Sequence, residues 1–207
     1  MNPTSDYTIF SDGGSVQGEQ GSCACVVDDH KRNVRVKLVA FLSQSTNNEA
    51  EISAALLGLS LLRARVPELK GSLIKLVADS EYFLKGATEY IHNWQKNGWK
   101  TSAKAPVKNQ GLWRTFLSLS EGLKLSSQHV RGHTGHPENE ACDAACNWIR
   151  DHADELSPTK SVKCEIPDGL DDRAWWAIDG SEFLIRHRAE VADEAADTHW
   201  IECFRKG

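Results

Sequence analysis

Tyr7-Thr8-Ile9-Phe10-Ser11-Asp12-Gly13-Gly14-Ser15 is the stretch on which the reading of this chain turns. Its β-forming residues predict a strand that ends in the Asp12 carboxylate and passes into a flexible Gly-Gly pair. An Asp-Gly step after a strand is most often a plain turn. The same step also lets backbone approach a ligand beside a carboxylate, as an anion or metal site requires. Which reading holds depends on whether isolated acids recur at the ends of other elements.

They do recur. Ser22 to Val27 and Val34 to Leu42 predict two more strands, joined by the polar run Asp28 to Asn33, so the first three strands form an antiparallel meander. Thr46-Asn47-Asn48 offers caps to a helix running to about Arg65, with Ile52, Leu56, Leu59 and Leu62 at helical spacing and Pro67 and Gly71 behind it. Glu49 and Glu51 lie on opposite flanks of that apolar stripe, so periodicity alone leaves open which faces a site and which complements the helix dipole. Ser72 to Ala78 predicts a short strand that runs directly into Asp79-Ser80 and a helix from about Glu81. Asp79 therefore repeats the position of Asp12 at a strand end, where α/β sheets collect ligands, with helix capping as the competing role.

From Tyr90 to Ser120 the chain contains no acid, while Lys96, Lys100, Lys104, Lys108 and Arg114 interleave with Tyr90, Trp94, Trp99, Trp113 and Phe116. Cations that neutralise phosphate beside aromatic rings make a nucleic-acid handle; the alternative is a solvated helical hairpin with its tryptophans packed inside. Leu123 to Arg131 predicts a further strand, leading into Gly132-His133-Thr134-Gly135-His136 and a helix begun by Pro137. A glycine-flanked His133 can titrate near neutral pH and shuttle protons, and Asp143 follows on the helix. Cys142 and Cys146 near His133 and His136 lack the second C-x2-4-C pair expected of a structural zinc site.

Bulk properties bound the remaining choices. The 207 residues suit one domain with an appendage, and 40% hydrophobic with 26% charged residues describes a chain able to form a core. No apolar run approaches the ~18 residues of a membrane span. No basic-then-apolar leader precedes the first strand, so we expect a cytoplasmic protein whose cysteines are reduced. The net charge of -5 conceals an asymmetry: residues 151–207 hold 14 acids and 7 bases, against 15 and 17 in residues 1–150.

Taken together, F-S-D-G-G-S, T-N-N-E-A-E, V-A-D-S-E-Y, the run from Tyr90 to Trp113 and R-G-H-T-G-H-P-E-N-E-A-C-D resemble the bacterial-type ribonuclease HI family. The likeness covers residues 7 to about 155. It implies an α/β ribonuclease H-like fold: a five-stranded mixed sheet, its first three strands antiparallel, flanked by helices. It also implies catalytic and metal-binding carboxylates Asp12, Glu51, Asp79 and Asp143, selecting Glu51 over Glu49, with His133 as a mobile helper. Two Mg2+ ions, or Mn2+, would be held there; Asp12 would bridge both, Asp143 would hold the nucleophile-side ion, and Glu51 and Asp79 the leaving-group-side ion. The RNA strand of RNA-DNA hybrids would be cut, leaving 5'-phosphate and 3'-hydroxyl ends. Asn47, Asn48, Trp94, Lys96, Trp99, Lys100, Lys104 and Lys108 match the family's nucleic-acid contacts.

Three departures qualify this. Glu81 stands where the family commonly has glutamine, Gln95 and Asn97 occupy positions that are often basic, and Ser15 to Gly21 differs from the usual glycine- and proline-rich loop. Weaker binding with a smaller salt slope is expected. Residues 1–156 are read as the ribonuclease H domain and 157–207 as an acidic extension without counterpart. In the extension, Ala174 to Ile178 and Ser181 to Ile185 predict a hairpin turned by Asp179-Gly180, Glu190 to Ala196 a helix and His199 to Phe204 a strand. This extension either covers a sheet edge or meets a protein partner. Other functions consistent with the same residues are a hybrid-binding module without catalysis, a polymerase-associated nuclease domain, and an integrase- or resolvase-like DNA nuclease.

Overall fold

A computed structural model describes residues 5–16, 19–132, 135–156, 161–181 and 184. Three antiparallel strands form first: β1 (Tyr7–Val16), β2 (Gln20–Asp29) and β3 (Val34–Ser43). Helix α1 (Asn47–Arg65) then crosses to β4 (Leu73–Ala78), which pairs parallel to β1. Short helices α2 (Glu81–Lys85) and α3 (Ile91–Lys96) are joined by a wider turn at Gly86–Tyr90, and α4 (Gln110–Ser120) returns the chain to β5 (Lys124–His129), parallel to β4. Helix α5 (Pro137–Asp151) follows, then β6 (Val162–Cys164) and β7 (Trp175–Asp179).

The sheet has seven strands in the order β5-β4-β1-β2-β3-β7-β6, which corrects the five expected. The added pair comes from the C-terminal segment: β7 lies parallel to β3, and β6 is antiparallel to β7. β7 thereby covers the edge that β3 would otherwise present to solvent. The expected hairpin through Asp179-Gly180 does not form. Instead the Asp179 carboxylate accepts from the Ser181 amide at 2.9 Å and Gly180 accepts from the Leu184 amide at 3.1 Å, which turns the chain helically. Glu182, Phe183, Ile185 and the expected elements at 190–196 and 199–204 lie outside the described residues.

Helices sit on both faces of the sheet. On one face α1 packs against β1, β2 and α4, so it is apolar well beyond the single stripe read from its sequence: Ala54, Ala55, Leu56, Leu57 and Leu59 are all buried. On the other face α5 lies across β1, β2 and β3. Alternating residues of β2 divide between the two cores, Cys23 and Cys25 facing α1 while Ala24 and Val26 face α5. The five described cysteines are free thiols. No described helix is long and apolar enough to cross a membrane.

Candidate active site

β1 does not stop at Asp12. It stays paired with β2 as far as Val16, with Asp12 opposite Ala24 and Gly13 opposite Cys23, so the expected Asp-Gly turn is a continuous strand. The glycine serves a close helix approach instead. A β-carbon on Gly13 would lie 2.4 Å from the Ala50 carbonyl carbon and 2.7 Å from the Glu51 amide nitrogen. Only a residue without a side chain admits the first turn of α1 here.

The register places the second acid. Tyr7 to Phe10 of β1 pair with Ile74 to Val77 of β4, and the same offset carried two residues further sets Asp12 beside Asp79. Asp79 sits where β4 ends, just before Ser80, whose side chain accepts from the Phe83 amide and caps α2. The capping role that competed for Asp79 thus belongs to Ser80. A β-carbon on Gly132 would be 2.7 Å from Asp79 Oδ2, so the glycine lets the backbone at this position pass close to the carboxylate.

The structure separates the two glutamates that periodicity could not. Glu49 closes a capping box with Thr46: its carboxylate accepts from the Thr46 amide at 2.8 Å, and the Thr46 hydroxyl accepts from the Glu49 amide at 3.3 Å. Glu51 turns toward the sheet instead. Ligand oxygens of Asp12, Glu51 and Asp79 lie within 4.8 Å of one another, and this trio is the candidate cation-holding cluster among the described residues. Burial, then the charges of Asp12 and Asp79, push the Glu51 carboxyl up to about 9. Its Oε2 is buried and finds no hydrogen-bond partner among the described residues. Asp12 is steadied by its neighbour, Oδ1 accepting from the Gly13 amide at 2.9 Å.

Asp143 faces the same cleft of about 340 Å³ from α5 but lies outside the tight trio. His133 falls outside the described residues. The cleft is also bordered by Asn139, Glu140 and Arg150, which sequence reasoning did not single out. Their positions four and three before and seven after Asp143 put them on its helical face, so periodicity counted from Asp143 could have found them. His129 was also missed; its Nε2 is 3.0 Å from the Asp79 carbonyl oxygen. Cys142 and Cys146 are buried with their sulfurs 3.7 Å from the Phe10 and Asp12 carbonyls, and His136 serves as the N-terminal boundary of α5.

The substrate-contact candidates divide by exposure. Asn47 and Asn48 are exposed at the start of α1, and Asn47 Oδ1 accepts from the Ser15 amide at 2.7 Å. Lys96, Lys100, Lys104 and Lys108 are all exposed around a compact loop closed by Thr101–Ala105 and Val107–Trp99 hydrogen bonds. Trp99 is only 6% exposed and lies in the core with Arg114 over its ring at 4.8 Å, while Trp94 is half-buried against Trp113. The packed-tryptophan alternative therefore describes Trp99. Glu81 pairs with Lys85 at 2.6 Å, and that contact holds its carboxyl below the usual range.

Most of the chain, rather than this cluster alone, is matched by known sequences. The RNase H family model matches residues 4–149. This chain belongs to the ribonuclease H family. A ribonuclease H of Pelobacter propionicus is 38% identical over 144 residues, covering 68% of this chain and 82% of the relative. That of Thermosynechococcus vestitus is 48% identical over 99 residues, 48% of this chain and 60% of the relative. That of Dechloromonas aromatica is 44% identical over 104 residues, 50% of this chain and 66% of the relative. The chain thus spans less than two thirds of the length of the latter two relatives. Among solved structures, LC9-RNase H1, described as a type 1 RNase H with the type 2 active-site motif, superposes with a TM-score of 0.61 at 21% identity, covering 94% of this chain and 86% of that one. LC11-RNase H1, solved in complex with RNA/DNA hybrid, gives a TM-score of 0.52 at 19% identity, covering 71% and 98%. These two superpositions show a shared fold.

Proposed function

We propose that this chain is a metal-dependent endonuclease that hydrolyses the RNA strand of RNA-DNA hybrids. The observation that carries the reading is the Asp12, Glu51 and Asp79 cluster, whose oxygens lie within 4.8 Å of one another. Three carboxylates at that spacing repel when all are ionised, and a buried carboxylate oxygen without a hydrogen-bond donor is costly, so the ionised cluster favours a bound cation. Hard carboxylate oxygens in this arrangement fit a hard divalent cation such as Mg2+ or Mn2+.

Asp12, Glu51 and Asp79 would hold the cations, with Asp143 completing the set from α5. Bound cations supply an activated water on one side of the phosphate and charge stabilisation of the leaving oxygen on the other. The protein contributes position. Gly13 donates to Asp12 and keeps its carboxylate oriented, and the burial of Glu51 keeps bulk water from that side of the cluster. Hydrolysis breaks the bond between phosphorus and the 3' oxygen, leaving 5'-phosphate and 3'-hydroxyl ends, and His133 assists proton movement or product departure.

Choice of the RNA strand follows from 2'-hydroxyls displayed in a wide, shallow minor groove, which the exposed Asn47 and Asn48 and the strand backbone near Asp12 would read. The DNA strand would be gripped by Lys96, Lys100, Lys104 and Lys108, with Trp94 lending a partly exposed ring and Trp99 shaping the loop from beneath. Incubating a labelled hybrid with the protein and Mg2+, beside double-stranded RNA and double-stranded DNA, tests the reading. Cutting confined to the RNA of the hybrid supports it; selective cutting of double-stranded DNA would replace it with a DNA nuclease.

A further inference from the structure

The C-terminal segment reaches the face of the sheet that carries α5 through a charge network that the proposed chemistry does not use. Arg35 and Lys37, alternate residues of β3, stand on that face. The Arg35 fork donates to both Asp28 oxygens at 2.6 and 2.7 Å and to Glu138 Oε1 at 3.0 Å, and its third nitrogen lies 3.7 Å from Asp171. Lys37 is fully buried, donating to Asp168 at 2.7 Å and pairing with Asp171 at 3.1 Å. Trp175 Nε1 donates to the same Asp168 oxygen at 2.6 Å. One guanidinium therefore ties together β2, the first turn of α5 and the C-terminal segment.

Two further contacts make the first turn of α5 the receiving end. Glu140, two residues after Glu138, accepts from the Gly135 amide at 2.9 Å and so fixes the end of the loop that precedes the helix. Ile166 and Trp175 share one buried cluster with Ala141, Cys142 and Ala145 of α5. Glu138 precedes Asp143 by five residues, about 7.5 Å along the helix axis, so a shift of the first turn moves the carboxylate. A guanidinium fork fixes direction as well as distance, unlike a point charge. With Arg35 displaced, Asp28, Glu138 and Asp171 would face one another as like charges.

We propose that residues 161–181 brace α5, Asp171 holding Arg35 and Arg35 holding Glu138, so that the extension positions Asp143 for the chemistry proposed above. Arg35, Glu138 and Asp171 are positioning residues, outside the lining of the cleft that holds the acidic trio. The proposal rests on the nuclease reading only for its catalytic consequence.

The test uses the full chain and the variants Asp171→Asn and Glu138→Gln, singly and together. Amide hydrogen exchange is followed across α5 and α1, and cleavage of a labelled hybrid is measured against Mg2+ and against hybrid concentration. The brace predicts faster exchange in the first turns of α5 with α1 unchanged, and a double variant no worse than either single one. It predicts that the Mg2+ concentration for half-maximal cleavage rises about 10-fold while the KM for hybrid stays the same. Unchanged exchange in α5, or exchange rising equally in α1 and α5, would overturn it, the second outcome marking a general loss of stability. A native chain that cuts no hybrid would overturn the nuclease reading alone, and the exchange data would still decide the brace.

Discussion

Gly13 of β1 and Ala50 of α1 approach so closely that a β-carbon on the glycine would lie 2.4 Å from the alanine carbonyl carbon. That contact sets the distance between the strand carrying Asp12 and the helix turn carrying Glu51. Gly13→Ala should therefore push α1 outward, lowering stability by about 1–3 kcal/mol through overpacking and separating the two carboxylates. Gly14 has open space at the equivalent position, so Gly14→Ala is the control expected to fold normally. Thermal unfolding and hybrid cleavage of the pair check this.

Glu49 and Glu51, two residues apart, should respond in opposite ways. Glu49→Ala removes one half of the Thr46 capping box and should cost about 1 kcal/mol of stability while leaving cleavage largely intact. Glu51→Gln removes a buried, repelling charge; it should stabilise the metal-free protein at alkaline pH and reduce cleavage by roughly 100-fold or more. Denaturant unfolding in chelator, paired with rates in Mg2+, separates the two effects.

The same carboxyl predicts a pH dependence. Glu51 has its pKa raised in the fold from 4.5 to about 9, chiefly by burial, so across that window the folded chain binds more protons than the unfolded one. Its contribution to stability is therefore present at low pH and is lost as pH rises toward about 9. Unfolding midpoints in EDTA should fall with rising pH. The slope from this group should vanish in Glu51→Gln and flatten in wild type at saturating Mg2+.

Handle residues should separate into binding and packing classes. Lys100→Ala and Lys104→Ala change exposed side chains, so each should weaken hybrid binding and lower the salt slope by about 1 with stability unchanged. Trp99→Ala, at a buried position beneath Arg114, should cost about 3–5 kcal/mol instead. Binding isotherms at several salt concentrations together with melting curves distinguish them.

Asp168→Ala leaves the buried Lys37 ammonium with one acidic partner fewer and Trp175 Nε1 without its acceptor. Burial pushes the Asp168 carboxyl up, but Lys37, the Leu170 amide and Trp175 outweigh it and hold its pKa below the usual carboxylate range. Breaking this buried pair should cost about 3 kcal/mol. A variant that unfolds at the wild-type denaturant midpoint would show that the C-terminal strands are only loosely attached.

Much of this was legible in the sequence because local rules and tertiary structure agree. The strands from Ser22 and Val34, the Thr46 cap and the Pro137 helix start all appear within a few residues of expectation. The failures occur where distant partners decide. Asp12-Gly13-Gly14 looks like a turn in isolation and is a strand because β2 pairs with it throughout. Asp179-Gly180 looks like a hairpin turn, but β7 pairs with β3 and β6, and the Asp179 side chain takes the Ser181 amide. The choice of Glu51 over Glu49 comes from resemblance, since both flank the apolar stripe; what separates them physically is tertiary, Glu49 closing the Thr46 capping box while Glu51 joins Asp12 and Asp79. Arg35 carried no local signal, because its partners Asp28, Glu138 and Asp171 come from three separate parts of the chain.

The most direct test of the central claim is cleavage of an end-labelled RNA annealed to DNA by wild-type protein and Asp12→Asn, each with Mg2+ and with EDTA. The account predicts that wild type with Mg2+ cuts the RNA alone, yielding 5'-phosphate ends, and that EDTA or Asp12→Asn abolishes cutting while the variant stays folded. Intact RNA at micromolar wild-type protein, or cutting that survives both EDTA and Asp12→Asn, would contradict it.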